Sequence, residues 1–179
     1  YTGAQRLLLA EISDEYLEVL RQRFSDLRHL RVCRIDLEAP ERPSELDESP
    51  DTVVSSNVLE HIRNHEAVLH FVHETLKPGG RVIILVPAMP CLFGSFDVGL
   101  DHHRRYTRRS MGLLFEKAGF DVVEMRYMNV LGALGWWFNG KVLRRKILPT
   151  QQLRLMDHLM PWVKLEYRLR LPFGLSLLA

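Results

Sequence analysis

The chain has 179 residues, with 24 lysines and arginines against 22 aspartates and glutamates and a net charge of +2. That length suits one domain able to bury a reasonable core. A balance so near neutral gives no argument for nucleic acid, and no nucleic-acid partner is expected. Cys33 and Cys91 match no metal or CxxC spacing, so a reducing, cytoplasmic compartment is the expectation. No secretory signal and no apolar run of membrane-spanning length is visible. The start at Tyr1, without methionine, reads as the start of a fragment.

From the amino end, 6–12 (RLLLAEI) reads as a strand that closes on an acid, Glu11. Ser13 is placed to cap a helix whose first turn holds Asp14 and Glu15, charges favoured by the helix dipole. Tyr16, Leu17, Leu20 and Phe24 are expected along its inner face. A second strand at 30–35 is followed by Asp36 and Leu37, and the acidic, proline-containing 38–50 reads as a surface loop. The β-branched run 51–56 favours a buried strand, and it delivers Asn57, Val58, Leu59, Glu60 and His61 into a turn.

Over 64–76, Val68, Leu69, Phe71, Val72 and Leu76 recur with a helical period. Lys77-Pro78-Gly79-Gly80 stops that helix, because proline cannot extend it and glycine accepts left-handed backbone angles. The continuous apolar run 81–86 is the next strand. Strand, helix and strand make a βαβ unit, which calls for a parallel sheet with helices on its faces. Further on, the polar cluster DHHRRYTRR (101–109) leads to Thr107, the expected cap of a helix that ends at Ala118-Gly119 with Met111, Leu114, Phe115 and Ala118 on its apolar face. A strand is expected at 120–125 (FDVVEM). The segment 131–146 is amphipathic, with Trp136, Trp137 and Phe138 ahead of a basic end, and 150–171 reads as two helical pieces bent at Pro161. The run 173–179 starts a last strand. One domain is expected: an α/β core over 1–126, a helical insertion or lid over 127–172, and the start of the last strand over 173–179.

The segments SSNVLEHI and LKPGGRVIILVP, at this spacing, resemble the fourth- and fifth-strand pattern of class I S-adenosylmethionine-dependent methyltransferases of the small-molecule type. The Thr107 helix closing in EKAGF is similar to that family as well. The resemblance implies a Rossmann-like α/β fold, with a mostly parallel sheet and helices on both faces, and S-adenosylmethionine as cofactor. It implies that Glu11 holds the ribose hydroxyls, since a carboxylate accepts two hydrogen bonds from a vicinal diol. Ile12 and Leu37 would flank the adenine, Asp36 would face its amino group, and Asn57 would lie beside the methionyl part. Val58 is read both as cofactor neighbour and as core, and Glu11 alternatively as a solvated acid at a strand end. The chain departs from the family in one respect: no G-x-G-x-G occurs. The family's first strand and its glycine-rich turn are expected ahead of Tyr1. That strand is central, so its loss predicts either a gap in the sheet or an improvised pairing.

Methyl transfer from a sulfonium needs alignment and shielding from water, and a hydroxyl nucleophile also benefits from a general base. His102 and His103 are the candidates, because the family's equivalent loop faces the substrate; His61 is a third. Arg104, Arg105 and Tyr106 are suited to hold an anionic group on the substrate, with Trp136 above the pocket. DHHRRY is equally readable as a solvated, salt-bridged loop. Asp97, Asp101, His102 and His103 are ligand types, but their spacing fits no metal pattern and no metal is assigned. The expected acceptor is a small or lipid-linked molecule. The aromatic and basic 131–170 stretch reads either as a lid or as a peripheral membrane contact. Two rivals are a non-catalytic module that binds a partner or membrane, and a nicotinamide-dependent oxidoreductase, for which no Tyr-x-x-x-Lys is present.

Overall fold

Side-chain caps start several helices, two of them at the expected Ser13 and Thr107. In the computed structural model, which describes residues 4–143 and 169–179, Ser13 accepts a hydrogen bond from the Tyr16 amide and opens α1 (Asp14–Arg23). Asn64 accepts from the Ala67 amide and opens α2 (His65–Thr75). Thr107 accepts from the Ser110 amide and opens α4 (Arg108–Lys117). The predicted α4 face is buried in full, with Met111, Leu114, Phe115 and Ala118 in the core. On α1 only Leu17 is buried, and Tyr16, expected on the inner face, is exposed. Gly119 ends α4 with φ +86°, a left-handed angle that suits glycine. A Cβ on Gly80 would lie 2.8 Å from the Lys77 carbonyl, so the turn into the next strand also requires glycine.

The strands are β1 (Leu7–Glu11), β2 (Leu30–Arg34), β3 (Thr52–Ser56), β4 (Arg81–Pro87), β5 (Arg126–Met128) and β6 (Ser176–Leu178). β1 and β2 pair in parallel as a two-stranded sheet. A second sheet has the order β3-β4-β6-β5, in which β3 and β4 are parallel and β6 runs antiparallel to both of its neighbours. The fold is α/β and Rossmann-like, with mixed pairing where a mostly parallel sheet was expected. The break between the two sheets separates β1 from β3, where the resemblance puts the family's first strand. A gap, not an improvised pairing, is what the fold adopts.

Two expectations are corrected. The 51–56 strand is not buried: β3 bonds only to β4 in its sheet, and Val54 is 68% exposed. A β-branched run favours a strand, but burial depends on neighbours on both sides. The strand expected at 120–125 lies later, at β5, and Val123 is 96% exposed. The ladder decides this, because β5 pairs only with the three-residue β6, which puts Tyr127 opposite Leu177. The amphipathic segment that starts at 131 opens in α5 (Val130–Trp137), capped by the Asn129 side chain on the Gly132 amide and followed by a π-turn at Phe138–Val142, and its residues past 143 lie outside the described ones. The expected bend at Pro161 lies outside the described residues.

The core gathers Leu59, Leu69, Ile84, Val86, Tyr106, Met111, Phe115 and Leu177, drawn from α2, α4, β4, β6 and the loops at the carboxyl end of the sheet. Leu69 is 0% exposed at the centre of α2. Leu69→Ala is expected to lower unfolding stability by about 2–5 kcal/mol, from lost transfer energy plus the cavity left behind, as measured by urea denaturation.

Candidate active site

The loops that follow β3 and β4 build one site at the carboxyl rim of the sheet. After β3 the Asn57 amide still donates to the Leu85 carbonyl at 2.8 Å while φ turns to 51°, which ends the strand. The chain then enters a single 3-10 turn, Leu59–His61. After β4 it passes a second 3-10 turn, Pro90–Leu92, and the short helix α3 (Ser95–Gly99). It returns at Tyr106, whose amide donates to the Pro87 carbonyl at 2.9 Å and whose carbonyl accepts from the Met89 amide at 2.9 Å. The His103 amide donates to the Glu60 carbonyl at 2.9 Å, which ties the two loops together.

Asp97 organises this rim. It is 0% exposed, and four donors meet its carboxylate. Oδ1 accepts from Arg105 Nε at 2.7 Å and faces His102 Nδ1 at 3.0 Å. Oδ2 accepts from the Gly94 amide at 2.9 Å and from Trp136 Nε1 at 3.3 Å. Arg105 is buried as well. One of its NH groups donates to the Ala88 carbonyl at 2.9 Å, and its guanidinium lies 4.9 Å from the Trp136 ring centroid. A buried ion pair is tolerated when the remaining donors and lone pairs are satisfied, and these contacts satisfy them.

Glu60 is 0% exposed too, yet neither carboxylate oxygen has a hydrogen-bond partner among the described residues. Its Oε1 lies 4.0 Å from His102 Nε2. Burial raises the Glu60 pKa to about 7, and the Asp97 charge adds to this, against the lowering effects of its own backbone amide and Arg105. The His61 ring stands edge-on to the His102 ring, 4.7 Å between centroids. Burial, then the neighbouring His102, lowers the His61 pKa, opposed by a hydrogen bond to the Asp101 backbone. Glu60, His61 and His102 each turn one ligand-type atom into a space no more than 4.8 Å across.

The other sequence-predicted residues lie as follows. Arg105 is committed to Asp97 and Ala88, so its guanidinium is not open to a substrate anion. Tyr106 is a core residue whose hydroxyl donates to the Leu59 carbonyl at 3.2 Å and meets His65 Nδ1 at 2.8 Å. Arg104 donates to the Arg63 carbonyl at 3.0 Å and lines a shallow depression with His65, Ser110 and Lys117. Trp136 packs on Arg105 and Phe96. His103 is exposed, whereas His102 is held inside by Asp97. Glu11 folds back on its own chain, where Oε1 accepts from the amides of Ile12 at 2.8 Å and Ser13 at 3.0 Å. Asp36 accepts from the Glu38 amide at 2.9 Å, and Leu37 packs against the core. Asn57 is exposed and Val58 half-buried.

Glu11, Asp36 and Asn57 were expected on the rim of one sheet. Instead, Glu11 and Asp36 follow the two-stranded sheet and Asn57 the four-stranded one. One link between the two is Glu38, whose carboxylate accepts from the Arg63 amide at 2.9 Å. Sequence reasoning missed the organising role of Asp97. The available signal was local: Asp97 stands three residues after Gly94, a spacing that lets a carboxylate cap its own helix. Asp97→Asn keeps the shape but leaves Arg105 without a counter-charge. It is expected to cost about 3–5 kcal/mol of stability, read from the shift in the urea midpoint at constant slope.

A methyltransferase-domain family profile matches residues 13–125, well over half of the chain. Among solved structures, an S-adenosylmethionine-dependent methyltransferase from Mesorhizobium loti superposes with TM-score 0.63 at 16% identity, over 98% of this chain and 80% of that one. A methyltransferase candidate from Bacillus halodurans gives 0.60 at 16% identity, over 82% of this chain. The match spans 64% of that longer protein. The [4+2]-cyclase SpnF gives 0.57 at 13% identity, over 68% of this chain and 44% of that one. No curated protein matches the chain. The matched profile covers β2 to β4, the capped helices α1, α2 and α4 and the loops that follow β3 and β4, and the chain belongs to the class I S-adenosylmethionine-dependent methyltransferases.

Proposed function

We propose that the full-length protein transfers a methyl group from S-adenosylmethionine to an oxygen of a small or lipid-like acceptor, with the acceptor hydroxyl at the Glu60–His61–His102 cluster. Family membership supplies the cofactor class and the reaction in general. The acceptor does not follow from the fold, since a cyclase shares it. The observation that carries the reading is the buried Glu60 carboxylate without a hydrogen-bond donor, beside His61 and His102 and one turn beyond Asn57.

In this reading Glu11 takes the ribose hydroxyls, Asp36 the adenine amino group, Ile12 and Leu37 the ring faces, and Asn57 and Val58 the methionyl part. Bound by these residues, S-adenosylmethionine would supply an electrophilic methyl group for the acceptor. The acceptor oxygen attacks that methyl in line. The O–C bond forms as the S–C bond breaks, S-adenosylhomocysteine leaves neutral at sulfur, and the acceptor proton passes to the cluster. Asp97 holds the His102 ring in position from behind. An amphiphilic acceptor is supported by the apolar side chains exposed around α5, namely Leu134, Trp137, Phe138 and Val142, with Trp137 and Phe138 each 49% exposed. These also suit a peripheral contact of α5 and the π-turn after it with a membrane surface. No helix of the described residues is long and apolar enough to cross a membrane.

Calorimetry on the full-length protein is expected to show micromolar S-adenosylhomocysteine binding that Glu11→Ala weakens at least about tenfold, the worth of a hydrogen bond to a charged group. Binding of NAD in its place would support an oxidoreductase, and binding of neither would support a non-catalytic module. With radiolabelled S-adenosylmethionine and a panel of hydroxylated small and lipid acceptors, His102→Ala is expected to lower kcat about 100-fold or more while the S-adenosylhomocysteine Kd stays unchanged. The exposed His103→Ala is expected to stay within about threefold of wild type, well short of a general-base loss. An equal loss in both variants would move the reacting centre away from the cluster.

A further inference from the structure

Two loops that are far apart in sequence bring a carboxylate and two imidazoles together at the rim. We propose that Glu60, His61 and His102 bind a single divalent transition-metal ion. Ion binding stands without the methyl-transfer reading; use of the ion's open positions by the acceptor oxygen rests on that reading.

Glu60 is the first reason. Both of its oxygens are buried and without a hydrogen-bond donor among the described residues. A buried unpaired carboxylate is costly, and the guanidinium whose charge acts on it, that of Arg105, is already bonded to Asp97 and Ala88. A cation in the space between Glu60 and the two histidines supplies the missing partner. The second reason is how His102 is held. Asp97 Oδ1 meets its Nδ1 at 3.0 Å, which fixes the ring and leaves Nε2 facing Glu60. A carboxylate behind a ligating histidine orients the ring and raises its basicity. Backbone geometry supports the same arrangement, since the His102 amide donates to the Asp97 carbonyl and the His103 amide to the Glu60 carbonyl, both at 2.9 Å.

The three ligand atoms lie within 4.8 Å of one another, so side-chain rotation would have to draw the widest pair in by up to ~1.4 Å to reach tetrahedral spacing. Ligand atoms about 2.1 Å from a tetrahedral ion lie ~3.4 Å from one another. His102 Nε2 and Glu60 Oε1 are 4.0 Å apart, so each would move in by a few tenths of an ångström, ~0.3 Å on the spacing just given. Two imidazoles and one carboxylate select zinc, cobalt, manganese or iron over magnesium and calcium, which prefer all-oxygen shells. Three protein ligands leave at least one position for water or an acceptor oxygen. An oxygen bound there would lose its proton more readily, as the proposed transfer requires.

The test uses full-length protein without a polyhistidine tag, stripped with chelator and titrated with cobalt while its visible absorption is followed. One equivalent is expected to bind with the intense bands of a low-symmetry site, to be displaced by zinc, and to be untouched by magnesium or calcium. Glu60→Gln and His61→Ala are each expected to weaken cobalt binding at least about 100-fold, more than loss of a supporting outer residue would. His70→Ala, on the exposed face of α2, is expected to leave binding unchanged. Circular dichroism confirms that each variant is folded, and the wild-type titration decides the matter if one is not. Absence of cobalt binding by the wild type, or equal binding by the His61→Ala/His102→Ala double variant, overturns the site. Methyl transfer undiminished in chelator overturns the ion's part in the reaction. Cobalt binding by a protein that takes up no S-adenosylhomocysteine keeps the site and ends the methyl-transfer reading.

Discussion

The buried contact between Asp97 and Arg105 is the constraint on which the rest of the rim depends. Without Arg105, Trp136, Gly94 and His102 around it, a carboxylate at 0% exposure would have no compensation for lost hydration. With them, one side chain joins α3, the returning loop and α5 at a single point. Each donor thereby gains a fixed position: Arg105 reaches the Ala88 carbonyl at the end of β4, Trp136 lies flat beside the guanidinium, and His102 turns its far nitrogen toward Glu60. Such contacts in a dry interior are stronger than in water and also less forgiving.

Asp97 and Glu60 are two equally buried acids with opposite surroundings. The first is surrounded by donors, and the second has none among the described residues. Burial raises the Glu60 pKa to about 7, so the cluster holds a group poised between its charged and neutral forms near neutral pH. A buried carboxylate left without donors marks chemistry more often than architecture, because a purely structural one would have acquired partners.

The sheet contributes through what it separates. β1 and β2 lead into Glu11 and Asp36, while β3 and β4 lead into Asn57 and the rim loops, and the two ladders share no strand. The Glu38–Arg63 contact and the packing of Leu37 on the core bridge them. Val54 is 68% exposed on the edge strand β3, which has neighbouring side chains from β4 on one flank only.

What the sequence determined by itself was local. Ser13, Asn64 and Thr107 cap their helices because each side chain needs only an amide three residues on. The α4 face follows from a 3.6-residue period, and the family from two motifs at fixed spacing. What tertiary structure decided was long-range: the β5 position, which depends on pairing with a three-residue strand about fifty residues later in the sequence; the exposure of β3; and the commitment of Arg105 and Tyr106 to the interior. The Glu60–His61–His102 cluster belongs there too. His61 and His102 are some forty residues apart, and no sequence period links them. They meet because a backbone hydrogen bond from His103 to Glu60 closes the rim and Asp97 holds the ring behind it.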